Sequence, residues 1–220
     1  MLNGSVVQAP AGLKCFDCDA VVSLPAALQF RLHGYGCAIR YVGRHTTAPQ
    51  DLRPVEAAEI LAAGLALMIV QHVQKPDWVP TGAMGTEYGA FAAQSADAIG
   101  YVSGGMIWCD MEGVKDGVDA RDVISFCNNW LDEVGHAGFT PGVYIGYKPG
   151  LNGPLFYHST RFEHFWRAYN GDVVPVVREF QMQQHTQQTL AGIQFDPNTV
   201  MADKLGGLPL VLAPPGWTAG

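Results

Sequence analysis

A single local order of residues recurs four times in the first two thirds of the chain: a helix-starting residue, an amphipathic run, a glycine, then a β-rich segment. The first unit starts at Ser23-Leu24-Pro25, runs through Leu28 and Leu32 to Gly34, and is followed by Cys37 to Val42. The second goes from Arg53-Pro54 through Ala58 and Leu61 to Gly64, then Leu65 to Val73. The third starts at Thr86, places Tyr88, Phe91, Ala92, Ser95 and Ile99 along one side, and stops at Gly100 before Met106 to Glu112. The fourth begins near Asp119, carries Val123, Cys127, Trp130 and Val134 as a stripe, and ends at Gly135 or Gly138 before Val143 to Tyr147. Polar or proline starts and glycine stops punctuate helices, and the β-branched runs that follow read as strands. Gly34, Gly64, Gly100 and Gly138 are 30, 36 and 38 residues apart, the pace of βαβ units, so the strands are expected to be parallel with helical crossovers.

A doubly wound sheet and a closed (β/α)8 barrel both fit that alternation. A nucleotide-binding sheet calls for a glycine-rich turn after its first strand. Here Lys14-Cys15-Phe16 is followed by Asp17, Cys18 and Asp19, with no G-x-G-x-x-G, so no cofactor is expected. Further short strands are expected around Phe165 to Tyr169, Phe180 to His185 and Gly192 to Phe195, which makes eight from Lys14. A full barrel usually takes about 250 residues. With 220 residues, the expected fold is an α/β, TIM-like barrel with reduced helices in its second half: one domain, residues 1–220, with its core over about 13–200. The Pro/Gly-rich tail, 205–220 with Trp217, is expected either to cover the barrel bottom or to contact a partner, with packing the favoured use.

Composition removes several functions. Thirteen Lys+Arg against twenty Asp+Glu leave a net charge of −7, the wrong sign for a phosphate-binding surface, so nucleic acid is not an expected partner. Leu65 to Val70 is the longest apolar run and is far short of a membrane span. The first fourteen residues lack a basic region followed by a hydrophobic one, so the chain is expected to be cytoplasmic at synthesis. Five cysteines include one C-x-x-C, Cys15 and Cys18, without a second ligand pair; they are expected to be structural thiols and no metal site is expected. Oligomeric state is open at this stage.

Met106-Ile107-Trp108-Cys109-Asp110-Met111-Glu112 is the most informative segment. Side chains alternate along a strand, so Asp110 and Glu112 share one face at the strand's C-terminal end, where barrels carry their chemistry. Two carboxyls held close in a partly apolar setting cannot both ionise freely, which keeps one of them an acid near neutral pH, as glycosidic cleavage requires. Asp17 closes the first expected strand and Asp196 the last, so both are expected at the same mouth. Arg40 and Tyr41 end the second strand and His72 the third, as hydrogen-bonding neighbours. Tyr144 and Trp166 are candidate faces for a sugar ring.

These residues resemble a known group. Phe16-Asp17-Cys18-Asp19, Ile39-Arg40-Tyr41 and Trp108-Cys109-Asp110-Met111-Glu112 look like the glycoside-hydrolase-like domain once labelled domain of unknown function 1906, which is related to the family 25 glycoside hydrolases, or muramidases. Phe165 to Tyr169 resembles the muramidase W-x-A-x-Y one residue short; Gln183 to Thr186 resembles W-Q-Y-S, and Gly192 to Asn198 the closing G-I with D-x-N. The resemblance implies an irregular barrel of eight strands with few helices. It implies Glu112 as general acid, with Asp110 stabilising the oxocarbenium-like centre or orienting the acetamido group. Asp17 and Asp196 would hold water, the acetamido group or Glu112. Arg40, His72, Tyr144, Trp166 and Gln184 would contact the substrate. The implied activity is cleavage of the β-1,4 bond of cell-wall glycan, as in a phage or bacterial lysin; the alternative is a catalytically silent barrel that binds glycan or protein in a virion or envelope.

Overall fold

The computed structural model describes residues 1–219. In chain order the elements are β1 (Ser5–Gln8), β2 (Lys14–Cys18), α1 (Leu24–Leu32), β3 (Cys37–Val42), α2 (Pro54–Ala62), β4 (Ala66–Gln71), α3 (Gly82–Ile99), β5 (Met106–Met111) and α4 (Ala120–His136). There follow β6 (Thr140–Ile145), α5 (Gly153–His158), β7 (Phe165–Arg167), β8 (Met182–Gln184), β9 (Gln188–Leu190), β10 (Ile193–Val200) and β11 (Leu210–Ala213). Neighbours run β4-β3-β2-β10-β8-β7-β6-β5, and a β4–β5 pairing closes the ring into an eight-stranded barrel. All eight strands expected from the sequence are its staves, and among the described residues the six-residue α5 is the one helix that follows β6.

The barrel interior is lined by one parity of each strand: Cys15, Cys37, Ile39, Met68, Val70, Met106, Trp108, Tyr144, Trp166 and Met182. The opposite parity, with Phe16, Ala38, Leu67, Ile107 and Val143, packs beneath the helices as a separate, larger core. Strands buried on both faces are what crossover helices impose on a parallel sheet. All five cysteines are free and buried in these two layers or at their edge.

Two features depart from expectation. Helix α3 starts four residues before Thr86, and its cap is Thr81, whose hydroxyl accepts the Met84 N–H at 3.2 Å. Gly82 and Gly85 weaken the helical signal in the sequence, yet they are where α3 lies against α4: a Cβ at Gly85 would overlap the backbone of Phe126. The second departure is the closing strand. β10 is antiparallel to both of its neighbours, β2 and β8, so it enters the mouth by its N-terminal end. It is reached through a hairpin from β9, turning at Ala191 (φ 51°) and Gly192 (φ 78°), the left-handed pair that a two-residue hairpin turn requires.

The tail closes the other end of the barrel. β11 pairs with β1 and meets β4 at Leu212–Leu67, and Trp217 Nε1 donates to Gly36 O at 3.0 Å beneath β3. No helix among the described residues is long and apolar enough to cross a membrane.

Candidate active site

The C-terminal ends of the parallel strands form the mouth. On β5, Trp108 faces inward, so the two-residue period also brings Asp110, and then Glu112 just past the strand, to the interior. Asp110 is 9% exposed and its Oδ1 has no hydrogen-bond partner. Burial holds its carboxyl well above the usual range; Glu112 and Asp17 add repulsion, and Arg44 partly offsets it. Glu112 is less buried, and its affinity for a proton is raised by desolvation against the opposing Tyr147 backbone N–H. Both members therefore bind a proton more tightly than isolated carboxylates do, and Glu112 is the member that solvent reaches.

Asp17, on β2, faces Asp196 of β10 as a direct register partner. Its surroundings are of another kind. Asn198 Nδ2 (2.7 Å) and Gln184 Nε2 (3.1 Å) both donate to Oδ2, and the Tyr41 hydroxyl donates to Oδ1 at 3.0 Å. Burial still pushes its pKa up to about 7, against those three donors. The network continues: Tyr144 OH donates to Gln184 Oε1 at 2.9 Å, and Trp166 Nε1 to Asn198 Oδ1 at 2.8 Å. Asp196 is half-buried, which raises its pKa by desolvation. All four carboxyls act on the Tyr144 hydroxyl, which burial and their negative charge hold in its neutral form. The structure thus brings Asp17, Asp110, Glu112 and Asp196 around one mouth. Glu112 opens on a groove of about 410 Å³, and Asp17 and Asp196 on another of about 680 Å³.

Arg40 is not at the mouth. β3 turns Cys37, Ile39 and Tyr41 inward, so Arg40 points outward with Ala38 and Val42, at 0% exposure. There its Nε donates to Glu56 Oε1 at 2.6 Å, and the guanidinium also bonds the carbonyls of Cys18 and Gln50, tying β3 to α2. It is a structural ion pair, not a substrate contact. Trp166 also departs from expectation: it is 1% exposed, packed edge-on between Tyr144 and Trp108 deep in the barrel, and presents no face to a ligand. Tyr144 is 8% exposed and Gln184 is buried, so both act through Asp17. His72 lies at the rim, stacked on Tyr41 with 4.6 Å between centroids, its Nε2 at 3.1 Å from Asp51 and 3.3 Å from Asp19. Among the described residues no group of three or more His, Cys, Asp or Glu side chains is arranged to hold a metal ion.

Several contributors were not singled out in the sequence. Asn198 shares a face with Asp196 two residues before it, a signal the D-x-N spacing carries. Arg44, and Trp78, whose Nε1 donates to Glu112 O at 2.8 Å, come from loops with no periodic pattern.

Comparison with known proteins gives a consistent picture. Residues 28–201 match the family model described as the Rv2525c-like, glycoside hydrolase-like domain. Among solved structures, the Tat-secreted protein Rv2525c of Mycobacterium tuberculosis, in complex with L-tartrate, superposes with a TM-score of 0.65 at 17% identity, over 87% of this chain and 96% of that one. The bacterial lysozyme of Streptomyces coelicolor gives 0.60 at 15% identity, over 87% and 93%. The muramidase of Trichobolus zukalii gives 0.56 at 17%, over 84% and 92%. No curated protein sequence matches the chain.

Proposed function

The chain belongs to the Rv2525c-like, glycoside hydrolase-like family, and from that premise we propose that it is a muramidase-like glycoside hydrolase that cleaves the β-1,4 bond of cell-wall glycan. The observation that carries this reading is the Asp110–Glu112 pair: two carboxyls on one face at a barrel mouth, buried enough to raise their proton affinity, with the outer one accessible from a groove. Glu112 protonates the glycosidic oxygen as the C–O bond breaks, and a water supplies the hydroxyl that the sugar carbon gains. Asp110, beneath it, faces the positive charge that develops at the ring. Asp17 orients the mouth by fixing Tyr41, Gln184 and Asn198. The lysozyme and muramidase among its structural neighbours support the substrate class, and the Tat-secreted neighbour supports action outside the cytoplasm.

Digestion of purified peptidoglycan followed by mass spectrometry of the soluble products tests this. Fragments ending in a new reducing N-acetylmuramic acid are expected. Glycan retention with no fragments, from several wall types, would overturn hydrolysis and leave a silent glycan-binding barrel.

A further inference from the structure

The two aromatic side chains that the sequence offers as sugar platforms, Tyr144 and Trp166, are buried, so a sugar ring at the mouth needs another surface. Tyr147, two residues past β6, is 56% exposed and walls the groove into which Glu112 opens. Val73 and Pro76 also line it with apolar surface, and Gln74, Asp77 and Lys148 supply its polar groups. An apolar wall with an aromatic face and a hydrogen-bonding edge matches a pyranose, whose C–H face is apolar and whose rim is hydroxylated.

The groove is built rather than incidental. Gly113 N donates to Tyr147 O at 2.8 Å and Val114 N to Lys148 O at 2.9 Å. On the other side, Asp77 N donates to Gly113 O at 2.7 Å and Lys115 N to Trp78 O at 2.9 Å, so three loops are fastened on both sides of Glu112. Asp77 (φ 65°) and Lys148 (φ 51°) are held in the left-handed region, conformations that persist only where their surroundings over-determine them. A side chain at Gly146 would overlap the Glu112 carboxyl, and one at Gly113 would press on Pro76. The platform and the acid therefore keep a fixed relation without substrate.

We propose that this groove is a sugar-binding subsite next to the scissile bond, with Tyr147 as its stacking platform for one N-acetylhexosamine ring. This rests on the glycan-cleaving reading of Glu112 but is tested apart from it. In a Glu112→Gln background, which keeps the ligand intact, the β-1,4-linked tetramer of N-acetylglucosamine is titrated calorimetrically. Tyr147→Ala is expected to weaken binding about tenfold, Tyr147→Phe to stay within about twofold of its parent, and both to keep the parent's melting temperature. In the active protein, Tyr147→Ala is expected to raise KM rather than lower kcat. Tetramer binding indifferent to Tyr147→Ala overturns the subsite even if wall glycan is cleaved. Binding lost in Tyr147→Ala and restored in Tyr147→Phe supports it even if no cleavage is found. No tetramer binding at all, or binding of glycan-free stem peptide instead, overturns it.

Discussion

Asp17 and Asp110 face the same mouth and both carry raised proton affinity, but their surroundings are opposite. Asp17 receives three side-chain donors, from Asn198, Gln184 and Tyr41, whereas Asp110 leaves an oxygen without a partner. The first carboxyl has little capacity left for a ligand; it fastens β2, β3, β8 and β10 where the barrel closes. The second, with Glu112 above it, has unspent capacity in a desolvated place, the usual mark of a group arranged for chemistry rather than for stability. One side of the mouth is thus a seam, and the other is the candidate reaction centre.

The strongest way to break this contrast is Glu112→Gln, which is expected to lower glycan turnover by about 10²- to 10⁴-fold, the usual range for a general acid, with an unchanged melting temperature. Next in size is a pH effect on stability from the seam. Unfolded, Asp17 ionises near 3.8; folded, it holds its proton to about 7. The folded state binds more protons between these values, so stability is fully present below the lower one and falls as pH rises through the upper one, by something on the order of 4 kcal/mol. Denaturant titrations at pH 5 and pH 8 are expected to show this slope, and Asp17→Asn to make it shallower, with the raised carboxyls of Asp110, Glu112 and Asp196 supplying the remainder. Asn198→Ala, which removes a donor from Asp17 and the acceptor of Trp166, is expected to cost about 1–3 kcal/mol in the same titrations. The smallest effect is expected from Asp110→Asn. It breaks no hydrogen bond of the unpartnered Oδ1, so stability at pH 8 is expected to hold or rise by less than about 1 kcal/mol, while turnover falls. A large loss of stability in Asp110→Asn, matching that of Asn198→Ala, would erase the distinction between the two sides.

The two sides also differ in how far the sequence shows them. The D-x-E pair follows from strand alternation alone, because Trp108, Asp110 and Glu112 share a parity on a strand whose limits are clear. The first four helix–strand units are legible for the same reason: their punctuation is local. The seam is not local. Asp17 meets Asn198 across 181 residues, and the antiparallel entry of β10 depends on a hairpin and on three-residue strands too short to show a period. Arg40 illustrates the limit on β3. Cys37-Ala38-Ile39 and Val42 are apolar on both faces, so alternation tells that Arg40 and Tyr41 oppose each other but not which one faces the barrel. Trp166 is on the inward parity as expected, yet it lies one layer too deep, and depth within a barrel is set by stagger between strands, which a single strand does not reveal.

The most direct test is the rate at which new reducing ends appear in purified cell-wall glycan, measured for the wild-type protein and Glu112→Gln side by side, with both shown to melt at the same temperature. Reducing ends are expected from the wild type and a rate near background from Glu112→Gln. Equal rates from the two, or none from a folded wild type across several glycans, would rule out Glu112 as the acid of a glycan-cleaving site.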